Sequence, residues 1–442
     1  MSAVQTAGRS PSFAEAFRIW LKIGLLSFGG PAGQIALMHR VLVDEKKWIG
    51  EERFLHGLNF CMLLPGPEAM QLATYIGWLL HGTAGGVMAG VLFVLPGFCV
   101  ILALSTAYAL FSGQIWFAAL FFGLKAAVLA VVVEALLRVA KKSLKTRAAW
   151  IIAGLSFVAL FLLHVPFPLV VLGAGLAGYA GERYAPGWLG GGSRKADALV
   201  QPVQGGWAHA GGVVAMWGAL WIAPILFVIA VFGSDSLLPA LAVFFSKMAV
   251  VTFGGAYAVL AYVAQAAVET FGWLKPGQMI DGLALAETTP GPLILVLTYV
   301  GFIAAFQSAG ALPPLVAGLV GASLTTWVTF IPCFLWIFLG APYIERLRAN
   351  PALSGALSAI GAAVVGVILN LTVWFALQTL FGHVGEVQFG PVRMSWPELA
   401  TLDWRALLLA IIAMVAMFRL NIGMVPTLAL SAMLGLLLKA LA

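Results

Sequence analysis

Charge is scarce in this chain. Twenty-four Lys and Arg and 17 Asp and Glu are spread over 442 residues, 9% of the whole, against roughly 25% in an ordinary soluble domain. That excludes a water-facing surface over most of the length. Cysteine is nearly absent as well. Cys61, Cys99 and Cys333 lie far apart in apolar stretches, a spacing that excludes a disulfide framework, a Cys-based metal knuckle or a redox pair and leaves small buried residues as the reading. No HExxH, no GxSxG and no ATP-binding Gly-rich loop occurs, and the six histidines are scattered. A metalloprotease, a serine hydrolase and an ATP-driven pump are thereby disfavoured. No metal and no cofactor is expected. A secretory signal is also missing: residues 1–12 are polar, and the apolar run from Phe13 contains Glu15, Arg18 and Lys22 without a clear cleavage site.

Apolar length is what the chain has in abundance. Hydrophobic residues make up 62%, the mean hydropathy is +1.01, and runs of the roughly 20 apolar residues needed to cross a bilayer recur throughout. The sequence describes an all-α polytopic membrane protein, multi-pass in the inner (plasma) membrane, with the lipid bilayer as its first partner. The formal net charge of +7 is the Lys/Arg excess expected of cytoplasmic loops and does not call for nucleic acid.

An internal repeat sets the organisation. LKIGLLSFGG at 21–30 meets SKMAVVTFGG at 246–255, and CMLLPGP at 61–67 meets AETTPGP at 286–292, both at an offset of 225. From Lys22 to Pro67 no gap is needed, and Lys22, Phe28, Gly29, Gly30, Ala36, Val43, Trp48, Gly57, Leu58, Pro65, Gly66 and Pro67 are all identical in the second copy. Matched leucines mean little in such a chain, whereas Lys, Trp, Gly-Gly and Pro-Gly-Pro in one register do not arise by composition. The organisation is therefore an N-terminal membrane repeat over 1–182, a cytoplasmic linker over 183–208 rich in Gly and Pro, and a C-terminal membrane repeat over 209–442.

Positive charge orients the copies. Lys141, Lys142, Lys145 and Arg147 form one basic joint in the first half, whereas Arg346 and Arg348 form one at a non-equivalent joint of the second. If basic loops are cytoplasmic, the halves are inverted-topology repeats, an architecture in which transporters place their site at the repeat interface. Parallel halves are the alternative.

Each half also breaks its helices, at Gly-Gly and at Pro-Gly-Pro. Helix breaks in lipid persist where they line a cavity, and the N–H groups at a helix start, with their partial positive charge, suit an anion. With Pro67 as first helical residue, Gly66 is the cap and the N–H groups of Gly66, Glu68 and Ala69 point outward. Gly291, Leu293 and Ile294 do the same in the second half, and Gly29, Gly30, Gly254 and Gly255 form the other breaks. Gln34 and Gln71 sit about one turn into the following helices and place amides toward the same cavity. The segments 13–30, 31–43, 51–64 and 67–81 have the length of helical hairpins. A plain proline kink without a ligand is the simpler reading of a single break, and the doubling counts against it. Lys22 and Lys247 lie seven residues before the first glycine of each pair, about 10 Å along a helix. They either attract an anion or snorkel to the interface. Glu68, Lys125, Glu134 and Glu287 are further intramembrane ionisable groups, Glu134 pairing with Arg138 four residues on. Glu68 and Glu287 are candidates for proton coupling.

These residues carry a family resemblance. Phe28-Gly29-Gly30-Pro31 with Leu64-Pro65-Gly66-Pro67, repeated as Phe253-Gly254-Gly255 and Pro290-Gly291-Pro292, resembles the chromate ion transporter family in its long, two-domain form. The resemblance covers nearly the whole chain. It implies secondary transport of the chromate dianion, usually outward as a resistance device, with sulfate as the natural look-alike. The second half departs from the first at Ala256 for Pro31, Leu293 for Glu68 and Val259 for Gln34, so the half-sites are chemically unequal. Sulfate or other oxyanion uptake and an anion channel remain alternative readings, and the sequence is silent on oligomeric state.

Overall fold

The computed structural model describes residues 11–185, 187–189, 207–253, 256–341, 351–390 and 392–440. Helices dominate, in the order α1 (Phe13–Leu26), α2 (Gly30–His39), a π-helical turn (Arg40–Glu45), α3 (Glu51–Cys61), α4 (Glu68–Phe111), α5 (Ile115–Ser143), α6 (Arg147–Phe161) and α7 (Phe167–Tyr184). Residues 190–206 of the expected linker, and the basic joint with Arg346 and Arg348, lie outside the described residues; the chain continues with α8 (Trp207–Phe232), α9 (Leu237–Val251), α10 (Ala256–Gln265), a second π-helical turn (Ala266–Thr270), α11 (Pro276–Glu287), a 3-10 turn (Leu293–Leu295), α12 (Val296–Gln307), α13 (Pro314–Gly340) and α14 (Pro351–Leu380). An antiparallel hairpin, β1 (Val384–Phe389) and β2 (Val392–Pro397), precedes α15 (Trp404–Phe418) and α16 (Met424–Ala440). Among the described residues, five helices are long and apolar enough to cross a membrane. Together with the composition, they make this a multi-pass membrane protein.

The repeat is visible as structure. α1 to α7 recur as α9 to α16, with α8 as an addition. The two π-helical turns fall at matching register, 41–45 against 266–270, so the one-residue widening of the helix is duplicated with the sequence. α4 bends at His81 and Gly82, where φ/ψ leave the helical region. The second half makes the same turn with the open segment between α12 and α13. Small residues let the two arms touch in both cases: Gly77 packs on the Gly85 carbonyl, and Gly301 on the Gly321 carbonyl. Beyond the bend the register shifts to an offset of 236, pairing Pro96-Gly97 with Pro332-Cys333.

The chain divides into two compact units that cut across the sequence halves. The first comprises Met1–Thr106, Asp197–Ala256 and Thr289–Leu347; the second comprises Ala107–Ala196, Tyr257–Thr288 and Arg348–Ala442. In the second unit the halves exchange partners. α14 packs along α6 and α7, while α5 packs along α15 and α16. The contacts match residue for residue. Gly178 of α7 meets Gly355 and Ala359 of α14, and Gly435 of α16 meets Ala119 and Gly123 of α5. Without a hydrophobic drive between helices in lipid, such close backbone approach through small residues is a main source of association. Reciprocity of this kind, in which i meets j′ and i′ meets j, is the signature of a two-fold relation.

Candidate functional site

The first unit brings together the breaks of both halves. α1 ends at Leu26, and Ser27 turns its hydroxyl back onto the Ile23 carbonyl at 2.6 Å; Thr252 at the end of α9 does the same to Met248 at 2.5 Å. Their own carbonyls are thereby left to point across the unit. The Ser27 carbonyl accepts a hydrogen bond from the Gly291 N–H at 2.8 Å, and the Thr252 carbonyl accepts one from the Gly66 N–H at 2.8 Å. Each Pro-Gly-Pro of one half is therefore tied to the residue before Phe-Gly-Gly of the other.

This geometry corrects two expectations. Gly66 and Gly291 do not hold their N–H groups out for a ligand; both are buried, and each N–H is spent on the crossing bond. Pro67 is likewise the cap and Glu68 the first residue of α4, one position later than the sequence pattern gave. The crossing fixes why only glycine serves. Gly66 has φ +122° and Gly291 φ +90°, a region in which other residues are strained. A Cβ at Gly66 would lie 2.9 Å from the Cys333 sulfur, and one at Gly97 would lie 2.2 Å from the Pro290 carbonyl oxygen. Cys333 and Gly97 are register partners, so each lid over a break comes from the opposite half.

The two glutamines brace the crossing instead of lining a cavity. Gln34 is buried and donates from Nε2 to the Gly291 carbonyl at 2.5 Å and to the Ser27 carbonyl at 3.4 Å. Gln71, also buried, donates from Nε2 to the Pro65 carbonyl at 2.6 Å, and its Oε1 makes no hydrogen bond. Their register partners are Val259 and Val296, so the bracing is confined to one half.

The Gly29–Gly30 turn stands open by contrast. Gly29 has φ +87° and Gly30 φ +67°, and a Cβ added at Gly30 would meet nothing within 4 Å. Gly29 caps α2, Pro31 is its second residue, and the first-turn N–H groups of a helix have no partner within the helix. Gly254 and Gly255 lie outside the described residues. Ala69 and Leu293 are buried beside the crossing, and Glu68 is half-buried at the head of α4. Lys22 and Lys247 are both exposed, the placement expected of snorkelling side chains. Of the cysteines, Cys61 and Cys333 are buried but Cys99 is exposed, which corrects the expectation of three buried residues.

Glu287 and Lys125 belong to the second unit. Glu287 is 3% exposed and accepts a hydrogen bond from the Tyr257 hydroxyl at 2.7 Å. Lys125 pairs with Asp281 at 3.3 Å. The Glu134–Arg138 pair forms as the spacing predicts. Sequence reasoning passed over Asp281, Tyr108, Tyr257, Ser27 and Thr252. The signal for Asp281 was present: it and Glu287 are the two carboxylates between Glu269 and Glu345. Ser27 and Thr252 carry hydroxyls at one register, which marks a shared polar task.

A helical membrane protein of two related copies, with broken helices from both meeting in one unit, has the make-up of a transporter. Comparison with known proteins narrows the class. The family model described as chromate transporter matches residues 14–179 and 239–436. The "Chromate transport protein" of Pseudomonas aeruginosa is 35% identical over 377 residues, 83% of this chain and 82% of that protein. The "Chromate transport protein" of Cupriavidus metallidurans is 31% identical over 82% of each chain. The "Probable chromate transport protein" of Synechococcus elongatus is 31% identical over 84% of this chain and 86% of its own. This chain belongs to the chromate transporter family. No solved structure matches it.

Proposed function

We propose that this protein is a secondary carrier of chromate across the cytoplasmic membrane, working outward, and that the oxyanion meets it at the Gly29–Gly30 turn and the head of α4. The observation that carries this reading is the crossing of the two breaks. It ties both Pro-Gly-Pro breaks to the ends of α9 and α1 in one unit, spends the N–H groups of Gly66 and Gly291 on structure, and leaves the α2 start with space above its backbone. Glycine lets a tetrahedral oxyanion approach the backbone closely, and the helix start supplies donors and partial positive charge. Gly254, Gly255 and Leu293 are the register partners of Gly29, Gly30 and Glu68 and, with Ala69, complete the set. Gln34 and Gln71 hold the crossing together and act on the site through it.

Outward movement follows from the charge. Two negative charges leaving an inside-negative cell gain about 4.6 kcal/mol per 100 mV, twice the single-charge value. Import of the bare dianion opposes the same quantity. The halves are read as inverted, since the reciprocal contacts fit a two-fold axis and the basic joints at Lys141–Arg147 and at Arg346 and Arg348 then share the cytoplasmic side.

Purified protein in proteoliposomes tests the function. Chromate counterflow that saturates, with sulfate as a weaker competitor, is the expected result. Single-pore current would make the protein a channel, and sulfate counterflow untouched by chromate would make it a sulfate carrier. Cysteine tags at Lys142 and Arg348 test topology: both should label from the cytoplasmic side, and external labelling of either would overturn the inverted reading.

A further inference from the structure

The second unit holds an ion pair that the oxyanion site does not use. Asp281, on α11, is 4% exposed. Its Oδ2 accepts a hydrogen bond from the Tyr108 hydroxyl at 2.7 Å. Its Oδ1 lies 3.3 Å from Lys125 Nζ on α5 and has no other partner. Gly277, one turn before Asp281, makes room for the ammonium: a Cβ there would sit 3.2 Å from Nζ. The Lys125 side chain keeps 28% exposure, so the pair is reachable from outside the packed core.

The fold does not require this pair. By register the first half has His56 where the second has Asp281, and the second half has Gly361 where the first has Lys125. The duplicated scaffold is thus built once with the pair and once without it. A buried ion pair is also weak as a stabilising device, since well-packed apolar residues often do as well or better. An asymmetric, buried, partly satisfied carboxylate in a transporter is a candidate for moving charge.

We propose that Asp281, with Lys125 and Tyr108, is the coupling-proton site of this carrier. The proton bonds to the open lone pair of Oδ1. The ion pair breaks as it arrives, Lys125 swings toward solvent with its charge intact, and the net charge of the cluster rises by one. The Tyr108 hydroxyl stays on Oδ2 throughout and fixes which oxygen is protonated. A metal cation fits poorly, because hard cations collect six or more oxygens and the ammonium already occupies the open side. Among the described residues no group of three or more His, Cys, Asp or Glu could hold a metal. The other charged or titratable groups nearby are Glu287 with Tyr257, on α11 and α10, and Glu134 with Arg138 further along α5; α14, which also packs on α11, carries none.

The inference rests on the carrier reading above, and the test separates the two. Full-length protein in proteoliposomes is assayed for chromate counterflow and for steady-state chromate accumulation under an imposed pH gradient, each variant scored as the ratio with and without the gradient. One coupled proton is worth a factor of about ten in accumulation per pH unit. Wild type should approach that factor, and Asp281→Asn should bring it to about one. Lys125→Met/Asp281→Asn, which removes both charges and so avoids a stranded ammonium, should also give about one. Tyr108→Phe should move the pH midpoint of the flux. A double variant that still responds tenfold, an unmoved midpoint in Tyr108→Phe, or accumulation driven by a sodium gradient instead would overturn the assignment. Absence of chromate counterflow in wild type would overturn the carrier reading, whereas counterflow without any pH response would overturn the proton site alone.

Discussion

In the first half, the hairpin of α2, its π-helical turn and α3 carries its charges outward. His39 pairs with Glu51 and Asp44, Arg40 with Glu45, and Lys46 with Glu15, on exposed side chains except the half-buried His39. The equivalent hairpin of the second half, α10 to α11, leaves Glu269 and Lys275 exposed but turns the two carboxylates of α11, Asp281 and Glu287, inward. Residues Met279–Glu287 are buried without interruption, and the polar groups of α11 find Tyr108, Lys125 and Tyr257. The first hairpin groups with the first unit, and nearly all of the second with the second unit. One register thus supports an exposed hairpin with surface ion pairs and a buried hairpin with internal ones. Duplication supplied the scaffold twice, and the chemistry was placed on it once.

The largest effect should come where the halves remain equal. Gly66→Leu and Gly291→Leu each force a side chain into positive φ, at about 1–2 kcal/mol, and overpack the crossing, at about 1–3 kcal/mol more. Both variants should lose chromate counterflow while remaining in the membrane, measured per inserted protein. Gly30→Leu carries the same positive-φ strain, about 1–2 kcal/mol, but meets open space, so it should be less destabilising than the other two yet still lose transport if the oxyanion needs that backbone. A Gly66 variant that transports while the Gly291 variant fails would show that the crossing bonds are not equivalent.

Next in size is the contrast between the hairpins. Asp281→Ala strands Lys125 and should lower stability in detergent by about 3 kcal/mol, the lower end for breaking a buried pair, because the ammonium is partly exposed. Glu51→Ala, in the surface pairs of the first hairpin, should cost under about 1 kcal/mol. Equal losses in thermal unfolding would mean that the two hairpins are alike in energy despite their burial. Smaller still, Cys61→Ala should be nearly silent in transport, and Cys333→Ala should cost about 1 kcal/mol by removing the sulfur over Gly66.

Much of this fold could be read from the chain. Paired Lys, Trp, Gly-Gly and Pro-Gly-Pro gave the repeat because those residue types are rare enough in an apolar sequence for coincidence to be implausible. The helical breaks followed from proline and glycine chemistry. The crossing could not be read, since a hydrogen bond from Gly66 to Thr252 joins residues nearly two hundred positions apart through backbone atoms that every residue shares. For the same reason Gln34 and Gln71 looked like ligand groups: an amide one turn inside a broken helix suits an anion or a carbonyl equally, and only the fold brings the Gly291 and Pro65 carbonyls to them. Asp281 was missed because no motif surrounds it. Its meaning comes from Lys125, on a helix that the sequence alone cannot place beside it.

The smallest expected change concerns Glu68, which has no counterpart in the second half, where Leu293 takes its place. As the first residue of α4 and half-buried, its carboxylate can occupy the helix-start N–H groups that an oxyanion would use. If the ionised carboxylate competes with the substrate, protonation frees the donors, and affinity rises as pH falls, at most about tenfold per pH unit for one proton. Proton and anion then bind together, as in symport, which is opposite in sign to the exclusion that proton-driven export needs. Glu68 would therefore tune affinity while coupling resides elsewhere in the molecule. Sulfate, whose charge is constant from pH 6 to 8, is the probe: its competition with chromate should strengthen at low pH in wild type and lose that slope in Glu68→Gln. An unchanged slope would leave Glu68 as a helix cap, and Leu293→Glu should then fail to create a slope in the second half.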